Sequence, residues 1–421
     1  MQANLVFLKS KSMSPTGTTD ACFAQWCVAR LRNCAHSQRS FVRRSNLFLA
    51  PRLSKVRATV ALRNAGATMR SLSDTLDRLA RLKPNPSSQA RSAKLRPFHM
   101  SGTNPGNLSA KLFAPSSNPP HSPLVVVLHG CNQTPEGYDS CAGWSSLAEE
   151  FGFYVLYPQQ QRANNPGLCF NWFSTDDIDR DAGEAMSIKE LITEVCALHA
   201  IDVSRVFVTG LSAGGAMANV MLATYPELFA GGAVIAGLPY GVATSMPEAF
   251  DRMRGHGMPG SDCLRDALRS SGKSVPEWPC ISIWHGKADR TVSPANAQAL
   301  VDQWMGVHRV GLHPDESVGE GRTDRKVWSS GGRNVISLRI ISGMDHGTPV
   351  DSSTGRESAG PFMLDVGISS TSEIAHEWGI TPSFERRRPG ADNDTSPEAY
   401  SAAPGIKESI EAALRSAGLL K

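Results

Sequence analysis

At 421 residues, with 41% hydrophobic content and a net charge of +4, the chain is long enough for one large cored domain with extensions, and no run approaches the roughly 18 apolar residues of a membrane span. The charge is uneven: residues 1–100 carry 18 Lys/Arg against 3 Asp/Glu and the remainder 25 against 36, so a basic arm precedes a mildly acidic body. No aromatic platform or recognition helix accompanies the basic arm, which argues against nucleic-acid binding, and no His/Cys cluster has zinc-ligand spacing, so neither metal nor cofactor is expected.

Residues 1–68 read as a basic, acid-poor extension without the apolar core of a secretory signal. Their composition loosely resembles an organelle transit peptide, and a functional start near Met69 is the expectation. Residues 69–107 combine an amphipathic helix, with Leu72, Leu76, Leu79 and Leu82 at helical spacing, and a linker. Leu108 to Phe113 is expected as a short edge strand. The main domain is assigned to 108–380 and a tail with one terminal helix to 381–421.

Leu124-Val125-Val126-Val127-Leu128 is a continuous apolar run, as a central parallel strand covered on both faces requires. Thereafter strands and helices alternate. Helices are predicted over 144–150, over 183–199 with Asp181 as N-cap, over the stretch to Tyr225, and over 295–305. Strands are predicted over 153–157, 205–209, 232–236, 281–285 and, as the last clear one, 335–341. This alternation predicts an α/β fold: a doubly wound, mostly parallel sheet with helices on both faces.

Gly210-Leu211-Ser212-Ala213-Gly214 falls between a predicted strand and a predicted helix. A serine at such an elbow sits in strained φ/ψ, and bulky neighbours would clash. A serine hydroxyl needs an imidazole as base, and the imidazole needs a carboxylate to fix its tautomer. Asp289 follows the strand 281–285, and His346 follows the strand 335–341, which gives the chain order Ser, Asp, His of an α/β-hydrolase. Asp302 on a predicted helix and His308, His313 and His376 lack that setting, and Asp345 is not assigned to the triad. Two oxyanion donors are expected, the N–H of Ala213 after the nucleophile and the N–H of Cys131 after the strand 124–128. The Cys131 thiol is then structural. The nine cysteines leave the disulfide pairing open, and Cys196 reads as a buried free thiol.

The chain resembles the poly(3-hydroxybutyrate) depolymerase family of α/β-hydrolase esterases over roughly 108–380. The matching stretches include Leu128-His129-Gly130-Cys131-Asn132-Gln133-Thr134, Tyr157-Pro158-Gln159-Gln160-Gln161, Cys169-Phe170-Asn171-Trp172-Phe173, Gly210 to Met217, Ala236 to Gly241, His285-Gly286-Lys287-Ala288-Asp289, and Gly343 to Pro349. The resemblance implies hydrolysis of esters between 3-hydroxyalkanoate units through an acyl-serine, in an extracellular or periplasmic location. Trp172 is then a wall of the acyl pocket, with an ordinary aromatic core residue as the competing role. Feruloyl and acetylxylan esterases are the alternative within the family. A non-catalytic binding module on a hydrolase fold is the alternative of another class. The roughly 40 residues after Ile380 are too few for a separate polymer-binding domain, which favours oligomers, amorphous polymer or soluble esters.

Overall fold

The computed structural model describes residues 95–117, 119–272 and 275–382. The basic extension, the leucine-spaced segment over 71–82 and the terminal helix lie outside the described residues.

The polypeptide forms a ten-stranded sheet. Its strands are β1 (Arg96–Phe98), β2 (Ser109–Phe113), β3 (Ser122–Leu128), β4 (Tyr154–Gln159), β5 (Ile201–Leu211), β6 (Gly231–Ile235), β7 (Cys280–Gly286), β8 (Glu316–Glu320), β9 (Thr323–Ser330) and β10 (Arg333–Ile341). The spatial order is β1-β2-β4-β3-β5-β6-β7-β10-β9-β8. The centre, β4-β3-β5-β6-β7-β10, is parallel, while β1 and β2 on one side and β9 and β8 on the other run antiparallel.

Alternation along the central strands distributes side chains to two cores. Leu124, Val126 and Leu128 of β3 join the core under the helices Gly183–Leu198, Ala213–Thr224 and Ala295–His308. Val125 and Val127 join the core under Pro135–Ala142, Trp144–Phe151 and Ser370–Glu377. Every residue of β3 is buried, as a strand covered on both faces must be. The doubly wound sheet with helices on both faces matches the expectation from sequence.

Three local expectations are corrected. Ser109–Phe113 is not an edge strand, because Arg96–Phe98 pairs outside it, so the sheet begins ahead of residue 108. Asp181 does not cap the long helix; Ala182 holds that position, and Asp181 takes a positive φ of 61° with its N–H donating to Tyr225 Oη. The strand ending at Ile341 is not the last, since Thr348–Val350 (β11) and Met363–Asp365 (β12) form a small parallel pair.

The strand order reverses beside β3. The chain passes from β3 outward to β4 and then back across to β5 on the other side of β3. A crevice opens at the carboxyl ends of strands flanking such a reversal. Leu128 pairs with Gly210 there, so the loop after β3 and the turn after β5 emerge side by side.

Candidate active site

Ser212 occupies the turn from β5 into the helix Ala213–Thr224, with φ 57° and ψ −119°. A non-glycine residue in that region costs on the order of 1–3 kcal/mol and persists only where its surroundings enforce it. Here Ser212 N–H donates to Ile235 O of β6 at 2.9 Å, and the fully buried helix locks the far side. The glycines at 210 and 214 are steric requirements. A Cβ on Gly214 would lie 2.2 Å from Leu128 O, and one on Gly210 would lie 2.4 Å from Gly214 O. The helix therefore starts against the end of β3, with its N-terminal N–H groups at the serine.

The loop after β3 is held by its own hydrogen bonds. Gly130 N–H donates to Gln133 Oε1 at 2.8 Å, and Asn132 N–H donates to Gly167 O at 2.7 Å. Between them, the Cys131 N–H has no protein acceptor among the described residues. Cys131 is disulfide-bonded to Cys169, one pair of those that sequence left open, and the bond joins the loop to the segment carrying Trp172. Cys196 is a free thiol, and burial pushes its pKa up to about 11.

His129 supports this loop as a neutral ring. Its Nδ1–H donates to Gly130 O at 2.8 Å and its Nε2 accepts from Gln160 N–H at 3.2 Å. Burial lowers its pKa to about 4, so the tautomer is fixed throughout the neutral range. Gln160 in turn donates to Cys169 O and to Glu184 Oε1. Glu184 is fully buried and also accepts from Asn171 N–H at 2.9 Å and from Asn171 Nδ2 at 2.8 Å. Burial, with nearby Asp177 second, raises its pKa to about 8 against those donors.

That shift has a sign for stability. A carboxyl whose folded pKa is raised binds its proton more tightly when folded, so its contribution is complete below the unfolded value of 4.5 and is lost as pH rises through about 8. Thermal unfolding of the wild type against Glu184→Gln should show the wild-type midpoint falling by several degrees more than the variant's between about pH 5 and pH 8.5. Parallel curves would remove this assignment.

Asp289 and His346 meet through a short hydrogen bond. Asp289 follows β7 and is anchored through Oδ1, which accepts Thr291 N–H and Val292 N–H, each at 2.8 Å. Its Oδ2 accepts His346 Nδ1–H at 2.7 Å, and both side chains are almost wholly buried. Burial raises the Asp289 carboxyl, but the hydrogen bonds from His285 and His346 outweigh it and hold the group well below the usual carboxylate range. Asp345, not assigned to the triad from sequence, plays a bracing part. Its Oδ1 accepts His346 N–H at 2.8 Å and Arg290 N–H at 3.2 Å, tying the histidine loop to the loop of Asp289.

One cavity gathers the sequence-expected residues. Ser212, Ala213, Cys131, Trp172 and His346 all line it, while Asp289 stands behind the histidine. Trp172 is buried and packs edge-to-face on Phe173, with ring centroids 5.6 Å apart. A helix, Met246–Met253, brings Met246, Ala249, Phe250 and Met253 to the lining of the same cavity. Asp302 lies on the helix Ala295–His308, bonded to Ser261 and Gln298, and is not among the residues lining this cavity. Sequence reasoning missed His285, Gln160 and Glu184. The only available signal was their position inside or beside the motif stretches.

The chain is similar to known esterases. A family model described as Esterase PHB depolymerase matches residues 108–322. Poly(3-hydroxyalkanoate) depolymerase C of Paucimonas lemoignei is 48% identical over 289 residues, covering 66% of this chain and 68% of the relative. Acetylxylan esterase A of Aspergillus oryzae is 31% identical over 256 residues, covering 58% of this chain and 81% of the relative. Among solved structures, an acetyl xylan esterase from Aspergillus awamori superposes with a TM-score of 0.59 at 25% identity, over 68% of this chain and 99% of that one.

Proposed function

The chain belongs to the PHB depolymerase family of esterases, and from that premise we propose that it hydrolyses ester bonds of poly(3-hydroxybutyrate) or 3-hydroxyalkanoate oligomers through an acyl-serine intermediate. The observation that carries the mechanism is a single cavity. Its lining brings together a serine on a strained elbow, the two residues Cys131 and Ala213 whose N–H groups this reading takes as oxyanion donors, and a histidine whose Nδ1–H is bound to a buried carboxylate.

In this reading Ser212 Oγ attacks the ester carbonyl carbon while His346 Nε2 takes its proton. Asp289 keeps Nδ1 protonated, so that Nε2 is the free lone pair, and stabilises the imidazolium once formed. The carbonyl oxygen becomes an oxyanion held by the N–H groups of Cys131 and Ala213. Collapse breaks the bond to the alkoxide, which leaves with the proton from His346. Water then repeats the sequence on the acyl-serine, His346 again taking and returning the proton. No step calls for a metal or cofactor. Among the described residues there is no cluster of metal-ligating side chains.

The substrate reading rests on the depolymerase relative and on the walls. Trp172, Phe173, Leu238, Phe250 and Val292 make the cavity apolar around the polar centre, which suits a short aliphatic acyl unit. We place the protein outside the cell or in a periplasm, a reading supported by the Cys131–Cys169 disulfide. Among the described residues no helix is long and apolar enough to cross a membrane.

Purified protein should release 3-hydroxybutyrate from its dimers and trimers faster than it releases acetate from acetylated xylan or ferulate from methyl ferulate, at matched concentration. Because the acetylxylan esterase relatives share the fold, preference for the sugar or aromatic ester would reassign the substrate while leaving the serine chemistry in place.

A further inference from the structure

Asp289 has a second histidine on it. His285, in β7, is buried, and its Nε2 lies 3.3 Å from Asp289 Oδ2, the same oxygen that receives His346 Nδ1–H. The tautomer of His285 follows from geometry alone. Nε2 is also 2.9 Å from Val292 O, and a carbonyl oxygen only accepts, so the proton sits on Nε2. The N–H donates to Val292 O and stands 3.3 Å from the carboxylate oxygen.

The other ring nitrogen is the revealing one. His285 Nδ1 is buried and has no hydrogen-bond partner among the described residues. An orphaned buried acceptor costs on the order of 1–3 kcal/mol, so a histidine retained only to fill space here would be a poor choice beside an apolar side chain. What the ring supplies in return is one N–H at a place no apolar residue could provide it.

The groups around Asp289 show what that N–H completes. From its own loop come the N–H groups of Thr291 and Val292, both on Oδ1. From the loop after β10 comes His346, on Oδ2, while Asp345 on that loop faces Arg290 N–H and His346 N–H instead. From β7 comes His285, on Oδ2. Without His285 the catalytic oxygen Oδ2 has one donor, and that donor must move a proton in every cycle.

Resting on the triad reading above, we infer that His285 is a positioning residue for the reaction. Its Nε2–H fixes the rotation of the Asp289 carboxylate, so that Oδ2 stays aligned on His346 as the imidazole cycles between neutral and charged. It touches no substrate and moves no proton itself.

Two amide replacements separate this role from simple packing. A glutamine at 285 puts an N–H close to the position of Nε2, whereas an asparagine has the same chemistry one carbon shorter and cannot reach Asp289. His285→Gln should keep kcat on p-nitrophenyl butyrate within about 5-fold of wild type. His285→Asn should lower kcat by roughly 10- to 100-fold with KM changed less than 2-fold, the pattern of a lost transition-state interaction. Fluorophosphonate labelling of Ser212 should slow in the same ratio, a readout independent of which ester is natural. Equal kinetics in the two variants, or loss in the asparagine variant through KM alone, overturns the inference. Should both variants fail to fold, circular dichroism would show it, and His285 would be a folding residue instead. Failure of the triad reading itself is distinguishable, because wild-type protein would then escape labelling altogether.

Discussion

Replacing Ser212 with alanine should abolish esterase activity, lowering kcat by about 10⁴- to 10⁶-fold, with no change in fold. The size follows from what remains. The two oxyanion donors and the apolar walls would still bind the ester and polarise its carbonyl, but no nucleophile would stand within reach of the carbon. The retention of fold follows from the backbone. Ser212 is held at φ 57° by its N–H bond to Ile235 O and by the start of the helix Ala213–Thr224, and alanine preserves both. Its thermal midpoint should stay within a few degrees of wild type, and fluorophosphonate labelling should vanish. This variant also tests the binding-module alternative. If wild-type protein is folded but neither turns over p-nitrophenyl butyrate nor takes the label, the fold serves binding and the mechanism proposed here is wrong.

Asp289→Asn should cost about 10⁴-fold in kcat, and the structure says why an isosteric change is so damaging. The asparagine has one acceptor and one donor where the aspartate had two acceptors. Thr291 N–H and Val292 N–H demand an acceptor at the Oδ1 position. Satisfying them turns the amide NH₂ toward His346 Nδ1 and His285 Nε2. His346 must then accept at Nδ1 and carry its proton on Nε2, where it cannot take one from Ser212. The opposite flip sets the NH₂ against two backbone donors. Kinetics on a soluble ester, combined with the crystal structure of the variant, check both halves. A variant retaining more than about a tenth of the activity would require a different acid.

Much of this fold is legible in the amino-acid sequence. The parallel centre of the sheet announces itself because β3 and β6 are buried throughout and therefore uninterruptedly apolar or small. The edges do not. All five residues of β8 are exposed, so its sequence carries no alternation to read, and β1 has only three residues. Ser212, Asp289 and His346 could be proposed from sequence because each follows a recognisable strand. The second histidine on Asp289 was hidden for a different reason. Its identity lies in a motif, but the direction of its ring depends on the face of β7 it occupies, which register with β6 and β10 decides. Glu184 was hidden more deeply, since an acid in the first turn of a helix ordinarily reads as a solvated partner of the helix dipole. Only the packed loop over it reveals a carboxyl buried from solvent. The partner of Cys131, 38 residues away, is likewise set by the fold.

The covalent tie between Cys131 and Cys169 makes one mechanical unit of the loop proposed to hold the oxyanion and the segment proposed to wall the acyl pocket. Any side-chain exchange around Trp172 that shifts its segment pulls on the amide expected to hold the oxyanion, so altered preference there arrives with altered turnover. The helix Met246–Met253, which also lines the cavity, contains no cysteine. A lineage or an engineer seeking to admit a bulkier ester has a reason to vary that helix first and leave the tryptophan side alone.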